Sequence, residues 1–364
     1  MTRGLILSAY DAGSHRRWRR GVERRLDDVA WTVLTLPARH FRWRIRGNSL
    51  SWAFSRRDVL EQDYDVVLAT SMTDLSALVG FVPSLANATL VAYFHENQFA
   101  YPRSEHQRDD VNPEVLNLYT ALTADRVAFN SDYNRATFLQ GVDDVLEMMP
   151  DEVPQGMAAR VAERARVLPV PLEDDLFVVE TTEQAAGPLR LIWNHRWEYD
   201  KAPERFFDAL RILDEQDVDF RVDVLGKRFR NQPPCFEAAR LDLDAHIDQW
   251  GFVDSLEDYR ALLRLADVNV STALHDFQRL AVLEAVALGC HPLVPDRLAY
   301  RDFLPAECRY PTHADDGARE SRALAARLVD FAESLQRRRA EGPPSVEALS
   351  WSALEDDYRE LLLR

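Results

Sequence analysis

The sequence predicts an α/β protein made of two doubly wound domains that face each other across a cleft. Short apolar runs alternate with helical stretches, the pattern of a parallel sheet covered by helices on both faces. This alternation starts again in the second half of the chain, and 364 residues exceed what one ordinary hydrophobic core accommodates. Ligands of such domains bind at the carboxyl ends of the strands.

In the first half, strands are predicted where the apolar runs are mostly continuous, as buried parallel strands require. The runs are Gly4–Tyr10, Val29–Leu36, Val66–Ser71, Leu90–His95 and Val127–Ser131. Helices are predicted over Pro113–Ala124 and Asp132–Gln140. We therefore predict an N-terminal domain over residues 1–172.

The segment 173–188 begins with acidic residues and continues with Thr, Glu, Ala, Gly and Pro, which predicts a linker. A second domain is predicted over residues 189–344. Its strands are Leu189–Asn194, Phe220–Gly226 and Val268–Thr272, and its helices are Pro203–Gln216 and Leu280–Leu288, the second ended by Gly289. Residues 345–364 are expected to form a C-terminal helix, amphipathic over Val346–Leu363, that packs back on the N-terminal domain.

Composition narrows the class of protein. No apolar run is long enough to cross a membrane, and the N-terminus lacks the layout of a signal peptide. The three cysteines, Cys235, Cys290 and Cys308, are widely spaced, which predicts neither a disulfide framework nor a metal motif. We expect a soluble, cytoplasmic protein with no membrane partner and leave the oligomeric state open.

The charge is distributed unevenly. The whole chain carries −16, which argues against nucleic-acid binding by its entire surface. Residues 1–60, however, contain 13 arginines and five acidic residues, a net charge of +8. Two stretches there mix cations with aromatic rings, which suits RNA, although a solvated helix face and an arginine-rich loop are the alternative. The candidate RNA-binding residues are Arg16, Arg17, Arg19, Arg20, Arg39, Arg42, Trp43, Arg44 and Arg46.

In the second half, a polar loop between a strand and a helix contains Asp276 and, eight residues later, Glu284. A helix N-terminus presents unpaired amides and a partial positive charge, so residues Arg279–Ala281 form a candidate phosphate site. Glu284 could then accept hydrogen bonds from a ribose. The alternative is a capped amphipathic helix with a solvated acid.

A second candidate site follows the strand that opens this domain. Arg196 and Lys201 are five residues apart and precede a helix, and Lys201 and Lys227 are the only lysines of the chain. Cations at this position could reach a diphosphate. The alternative is a salt-bridged turn, because Glu198, Asp200 and Glu204 lie alongside.

In the first half, four polar residues follow a predicted strand: His95, Glu96, Asn97 and Gln98. Such a cluster is costly to bury without partners, and His95 could bind a hydroxyl or transfer a proton. The sequence Asp11–His15 follows the first strand, and Gly13 there permits close backbone approach. A dinucleotide fingerprint, a Walker loop and a Gly-x-Ser-x-Gly elbow are all absent from the sequence.

The second-domain motifs resemble those of retaining glycosyltransferases of the GT-B architecture, in the group that includes sucrose and mannosyl transferases. That group has an acid-x7-Glu pattern, here Asp276 to Glu284, and an Arg-x4-Lys pair, here Arg196 and Lys201. Its first acid is usually Glu and a glycine follows closely, where this chain has Asp276 and Gln278-Arg279. The resemblance implies two Rossmann-like domains, with Arg196 and Lys201 on the donor diphosphate, Glu284 on the ribose and Asp276 on the sugar hydroxyls.

A closer resemblance spans nearly the whole chain. It is carried by the motifs Ala12–His15, Leu36–Arg39 with Trp43, Tyr93–Gln98 with Tyr101-Pro102, Phe129–Ser131, His195–Glu198 with Asp200-Lys201, and Leu283–Ala285. These residues resemble the tRNA-queuosine α-mannosyltransferase family. That resemblance implies retaining transfer of mannose from GDP-mannose to the cyclopentene-diol of queuosine in tRNA, without a metal or another cofactor.

On this interpretation the catalytic residues are His95, Asp276, Arg196 and Lys201. The expected donor-binding residues are Asn194, Arg196, Lys201, Gly226, Lys227, Asp276, Arg279, Leu280, Ala281 and Glu284. The expected acceptor-side residues are Gly13, Ser14, His15, His95, Glu96, Asn97, Gln98, Asn130 and Ser131. The alternatives are a GT-B enzyme with another donor or a lipid or small-glycoside acceptor, and a non-catalytic tRNA- or nucleotide-binding protein on the same fold.

Overall fold

A computed structural model describes residues 1–101, 110–178, 187–227 and 232–364. These residues form two compact units, one comprising Met1–Pro171 and Trp351–Arg364, the other Leu172–Ser350. Pro102 and residues 179–186 of the predicted linker lie outside the described residues. The start of that predicted linker is a 3-10 turn, Asp174–Phe177, whose Leu176 is buried in the core of the second unit, so these residues are not an open connection.

The first unit is built on a six-stranded parallel sheet with the order β2-β1-β3-β4-β5-β6. Its strands are β1 (Thr2–Ser8), β2 (Val29–Thr35), β3 (Val66–Thr70), β4 (Thr89–Phe94), β5 (Arg126–Phe129) and β6 (Ala165–Val167). Every residue of β3 is buried, in line with its continuous apolar sequence. The polar residues that follow the strands meet at one edge of this sheet.

Within the described residues of the first unit, these helices precede the second unit in the chain: α1 (Gly13–Arg25), α2 (Phe41–Ser55), α3 (Arg57–Leu60), α4 (Leu75–Phe81), α5 (Asn112–Thr123), α6 (Asp132–Glu147) and α7 (Met157–Ala162). The predicted helix Asp132–Gln140 is too short, because α6 continues through Gly141. A Cβ atom at Gly141 would lie 2.3 Å from Phe99. The glycine there serves close packing and does not end the helix.

The second unit has a similar sheet with the order β12-β11-β10-β7-β8-β9. Its strands are β7 (Leu189–Asn194), β8 (Phe220–Leu225), β9 (Ile247–Gly251), β10 (Val268–Val270), β11 (His291–Pro295) and β12 (Arg309–Tyr310). All of its strand pairs are parallel. Because β10 lies beside β7, the loops that follow these two strands are neighbours.

Helices cover the second sheet: α8 (Pro203–Glu215), α9 (Cys235–Asp242), α10 (Leu256–Leu265), α11 (Leu280–Ala287), α12 (Tyr300–Phe303), α13 (Gly317–Glu333) and α14 (Leu335–Glu341). One hydrophobic cluster contains side chains of α8, α9 and α13, and another contains side chains of α10 and α11. Gly289 follows α11 with a φ of +108°, the left-handed conformation expected after a helix.

The predicted helix Val346–Leu363 is divided at Ser350. Residues Glu347–Leu349 form a 3-10 turn in the second unit, and α15 (Trp351–Leu363) belongs to the first unit. Trp351 packs so closely on α1 that a Cβ atom at Gly21 would lie 2.2 Å from its ring. The indole N–H of Trp18 donates to Tyr358 Oη at 2.8 Å, so α15 is held to α1 by polar as well as apolar contacts.

Candidate functional site

A buried lysine lies where the chain leaves β7. Lys201 is the last residue of a 3-10 turn, Tyr199–Lys201, and its side chain is 8% exposed. Its Nζ donates to the His275 carbonyl at 2.6 Å and lies 3.2 Å from an Asp200 carboxylate oxygen and 3.6 Å from Asp276 Oδ2. A buried cation requires such partners. The structure therefore brings together two of the predicted catalytic residues, Lys201 and Asp276.

Asp276 uses its two carboxylate oxygens differently. Oδ1 accepts hydrogen bonds from the backbone N–H groups of Gln278 at 3.1 Å and Arg279 at 2.7 Å, while Oδ2 faces Lys201. Burial favours the neutral acid, but the Lys201 charge and the Arg279 amide outweigh it and lower the pKa of Asp276 to about 2. Asp276 is therefore an anion at neutral pH.

Arg279 occupies the position immediately before α11. Its φ is +42°, which a glycine adopts readily and an arginine rarely. The guanidinium group donates to the Phe277 carbonyl at 2.6 Å and lies 3.6 Å above the ring of Phe303. The structure thus shows a buried cation that helps to shape the loop. The amides of Leu280 and Ala281 lie in the first turn of α11, where a helix does not satisfy them internally.

Asn194 ends β7 and connects four elements. Its side-chain NH₂ donates to Tyr259 Oη at 2.8 Å and to the Ala281 carbonyl at 3.1 Å. Its side-chain carbonyl accepts from Asn269 at 2.8 Å. Asn194 was predicted to bind the donor, and its side-chain amide also joins the start of α11 to β7 and β10.

His195 is a residue that the sequence analysis did not select as a site residue. It follows β7 directly and is buried, and within the described part of the chain its Nε2 has no hydrogen-bond partner. Burial and the charge of Lys201 lower the pKa of His195 to about 4, so the imidazole is neutral at physiological pH. The sequence feature that could have identified His195 as a site residue is its position at the end of a predicted strand, next to Arg196.

The remaining predicted donor residues differ in exposure. Arg196 is 55% exposed and pairs with Glu198 at 2.7 Å, whereas Glu284 is buried on α11. Gly226 has a φ of +149°, and a Cβ atom there would lie 1.8 Å from the His195 carbonyl oxygen, so only glycine fits. The Lys227 carbonyl accepts from the Trp197 amide at 3.2 Å, which joins the loops after β8 and β7.

In the first unit, the carboxyl ends of β1, β3 and β4 bring together His15, Ser71 and Glu96. His15 lies 3.1 Å from the Tyr10 carbonyl through Nδ1 and 3.2 Å from Glu96 through Nε2. Ser71 Oγ donates to the other Glu96 oxygen at 3.1 Å. Burial disfavours a charged His15, but the Glu96 carboxylate prevails and raises the pKa of His15.

His95 lies completely inside the first unit. Its ring stacks on His15 with centroids 4.2 Å apart and meets the edge of Trp18 at 4.5 Å. Neither ring nitrogen has a hydrogen-bond partner in the described part of the chain. Burial and the neighbouring His15 hold the pKa of His95 well below its usual value. A bound ligand could reach this neutral ring only if its surroundings opened.

The other predicted acceptor-side residues divide into two groups. Asn97, Gln98, Asn130 and Ser131 are buried and bond within the unit; Asn130, for example, donates to the His95 carbonyl at 2.8 Å, and Ser131 caps α6. Gly13 is exposed and Ser14 partly exposed at the start of α1, a helix without a side-chain cap. Only this second group is open to solvent.

The two basic stretches fall on different helices. Arg16, Arg17, Arg19 and Arg20 lie on α1, whereas Arg42, Trp43, Arg44 and Arg46 lie on α2 and Arg39 just before it. Among the residues that the structure describes, no group of three or more His, Cys, Asp or Glu is arranged to hold a metal ion. No described helix is long and apolar enough to span a membrane.

Solved structures resemble this chain over its full length. Sucrose-phosphate synthase from Thermosynechococcus elongatus matches with a TM-score of 0.70 and 15% identity, covering 99% of this chain and 98% of the other. Anabaena Alr3699/HepE in complex with UDP matches with a TM-score of 0.66 and 14% identity, covering 99% of both chains. The family model "Glycosyl transferases group 1" matches residues 189–306. The chain is thus a glycosyltransferase with the GT-B fold, and the predicted fold class is confirmed.

A second family model, "tRNA-queuosine alpha-mannosyltransferase N-terminal", matches residues 3–172. The tRNA-queuosine alpha-mannosyltransferase of Drosophila melanogaster is 32% identical over 337 residues, which cover 90% of this chain and 86% of that protein. The chain belongs to the tRNA-queuosine alpha-mannosyltransferase family. The resemblance identified from the sequence is therefore confirmed.

Proposed function

We propose that this glycosyltransferase transfers mannose from GDP-mannose to the cyclopentene-diol of queuosine in tRNA, with retention at the anomeric carbon. The observation that supports it most is the 32% identity, over 90% of the chain, to the Drosophila enzyme of that name. The basic first 60 residues are an independent feature that suits an RNA acceptor. The proposed location of the reaction is the cytoplasm.

The second unit would bind the donor. Lys201 and Arg196 would bind the diphosphate together with the amides of Leu280 and Ala281, because cations and helix N-termini attract phosphate oxygens. Asp276, ionised and already held by the Arg279 amide, would accept hydrogen bonds from the sugar hydroxyls. Glu284 would accept them from the ribose.

In the proposed reaction, the bond between the anomeric carbon and the diphosphate oxygen breaks while the acceptor oxygen bonds to that carbon from the same face. The departing diphosphate takes the acceptor's proton. Negative charge grows on the diphosphate, where Lys201, Arg196 and the helix amides stabilise it. These groups make a metal or another cofactor unnecessary in this scheme, and no protein nucleophile is required.

The test is to incubate the purified protein with labelled GDP-mannose and total tRNA from matched cells that make or lack queuosine. We expect label only in tRNA that contains queuosine, and we expect α-mannosidase to release it, since retention preserves the α configuration of the donor. GDP-glucose and UDP-mannose serve as matched donors. If neither tRNA is labelled while GDP-mannose is still hydrolysed, queuosine is not the acceptor. If the protein prefers another nucleotide sugar, GDP-mannose is not the donor.

A further inference from the structure

The exposed face of α2 combines aromatic and basic side chains. Between Val29 and Arg57 the sequence has six arginines and no Asp or Glu, in a chain whose net charge is −16. Trp43 is 54% exposed, and Arg42 and Arg46 on either side of it are exposed as well. The pKa of Asp110 is lowered chiefly by hydrogen bonds from Asn112. The charges of Arg42 and Arg46 lower it further, which places Asp110 near these two arginines.

Trp43 is held against its own helix. A Cβ atom built on Gly47 would lie 2.5 Å from the indole ring, so the ring covers the glycine one turn further along. Any larger residue at position 47 would push the ring away. The glycine thereby allows an exposed indole to rest in a fixed place, and a fixed exposed aromatic face is what an unpaired nucleic-acid base stacks on.

The other basic helix, α1, is arranged differently. Arg16 and Arg19 both bond to Asp11 at 3.0 Å, and Arg19 also pairs with Glu23 at 2.8 Å. The aromatic residue of α1, Trp18, is buried. Two arginines of α1 are therefore paired with carboxylates of the same unit, and the tryptophan of α1 is not exposed for stacking.

A buried amide fixes α2 to the edge of the sheet where the predicted acceptor residues lie. Asn48 donates to the carbonyls of Arg44 at 2.8 Å and Met72 at 3.1 Å, and its side-chain carbonyl accepts from the Asp74 amide at 2.9 Å. Residues 71–74 follow β3, and Ser71 in turn bonds to Glu96. The helix α2 and the strand ends of the first unit are thus connected by buried hydrogen bonds.

We propose that the exposed face of α2 is the surface that binds an unpaired segment of the tRNA. Trp43 stacks on a base, and Arg42 and Arg46 contact the adjoining phosphates. This inference rests on the proposed tRNA substrate and narrows its binding surface from both basic stretches to one of them. The charge favours RNA over a protein partner, because α2 itself has three arginines and no Asp or Glu, and cations complement a polyanion.

The experiment measures the dissociation constant for queuosine-containing tRNA at several salt concentrations. The variants on α2 are Trp43→Ala, Trp43→Phe, Gly47→Ala and the double substitution Arg42→Ala/Arg46→Ala. The double substitution Arg16→Ala/Arg20→Ala removes the same charge from α1. Arg319→Ala/Arg322→Ala removes it from exposed positions of α13 in the other unit. Thermal unfolding checks that each variant is folded.

We expect Trp43→Ala to weaken binding about 5- to 150-fold, the equivalent of about 1–3 kcal/mol for one stacked base, and Trp43→Phe to recover most of it. Gly47→Ala should act like Trp43→Ala although it removes neither a ring nor a charge. The double substitution on α2 should reduce the salt dependence, the slope of log affinity against log salt, by about 1.4–1.8. The α1 pair should weaken binding about threefold or less, and the α13 pair should leave it unchanged.

Equal binding by the wild type and all α2 variants overturns this inference while leaving the proposed tRNA substrate intact. Absence of tRNA binding by the wild type overturns both. A third outcome is that Trp43→Ala leaves tRNA affinity intact and changes the oligomeric state, measured as the molecular mass of the protein in solution. That result would show that the exposed face of α2 is a protein interface, and it would also overturn the inference.

Discussion

Lys201 is a buried cation with two carboxylates close by, Asp200 and Asp276. The two carboxylates give the buried ammonium group partners of opposite charge. In the proposed reaction, a diphosphate bound here would meet a cation that already donates to the His275 carbonyl. Electrostatic stabilisation is strongest when the groups are held in place before the charge develops.

We expect Lys201→Ala to lower turnover about 100- to 1000-fold, the usual effect of losing one such stabilising group. GDP affinity should fall as well, because Asp276 is left as an uncompensated anion beside the phosphates. Steady-state kinetics and calorimetric titration with GDP measure the two effects. Lys201→Arg should recover part of the affinity, and Arg319→Ala serves as a control. Normal turnover and normal GDP affinity in Lys201→Ala would refute the assignment.

The pair His15–Glu96 makes a pH-dependent contribution to stability. Glu96 raises the pKa of His15 in the folded protein, so this stabilisation is complete below the unfolded pKa of about 6.5 and is lost as the pH rises through the folded value. We expect Glu96→Gln to reduce the free energy of unfolding by about 1–3 kcal/mol at pH 5.5 and by clearly less at pH 8.5.

Chemical denaturation at the two pH values tests this expectation. The matched control is Glu23→Gln, which removes a carboxylate paired with Arg19 at 2.8 Å. Because an arginine stays charged throughout this range, the control should show the same small loss at both pH values. A loss in Glu96→Gln that does not depend on pH would show that His15 is not protonated in the folded protein.

Among the elements, α13 supports the proposed donor site from a distance. Its Glu320 is fully buried and accepts from Arg205 on α8 at 2.8 Å and from Arg297 at 2.6 Å and 2.7 Å. Arg297 also donates to the carbonyls of Ala273 at 2.9 Å and Thr272 at 3.2 Å. These two residues lie on the segment that leads from β10 to Asp276, so one carboxylate fixes both α8 and the loop.

We expect Glu320→Gln to cost about 3–5 kcal/mol of stability, since it leaves two buried guanidinium groups without their carboxylate. Burial alone would raise the pKa of Glu320, but Arg297 and the His313 amide lower it to about 2. Its contribution is therefore present above about pH 4.5 and is lost as the pH falls toward 2, and the variant should lack this acid dependence. Urea unfolding from pH 6 to pH 3 tests it, with the exposed Glu333→Gln on the same helix as a control.

The elements also show what the sequence could and could not predict. Buried strands such as β3 were predictable because they are continuous apolar runs. The helix α2 was not, since arginines interrupt its apolar residues, and β12, with two residues, is too short for any pattern. The contacts of Asn194 and Lys201 join residues 65 to 87 positions apart, which local spacing does not reveal. The residue types of the candidate site were predictable, but their partners were not.

At the scale of the whole molecule, each unit has its own sheet and core. Tyr358 on α15 completes the core of the first: it accepts from Trp18 and donates to the Pro169 carbonyl at 3.0 Å. Tyr310 has a comparable place in the second, donating to the Ser271 carbonyl at 2.9 Å. Removing the hydroxyl group of one or the other tyrosine therefore perturbs the stability of one unit at a time.

We expect Tyr358→Phe to cost about 1–3 kcal/mol, because the buried Trp18 N–H loses its acceptor. Hydrogen exchange should become faster in β1–β6 and remain unchanged in β7–β12. Tyr310→Phe should give the reverse distribution. Faster exchange across both sheets in either variant would show that the two units unfold as one cooperative body.

The position of α15 also fixes the order in which the two units can be completed on the ribosome. The first unit combines Met1–Pro171 with Trp351–Arg364, whereas the second consists of one continuous segment, Leu172–Ser350. Synthesis therefore supplies every residue of the second unit before it supplies the helix that covers Gly21 and Trp18. Synthesis of the first unit therefore starts before that of the second and ends after it, and until α15 is made, Gly21 and Trp18 lack the helix that covers them.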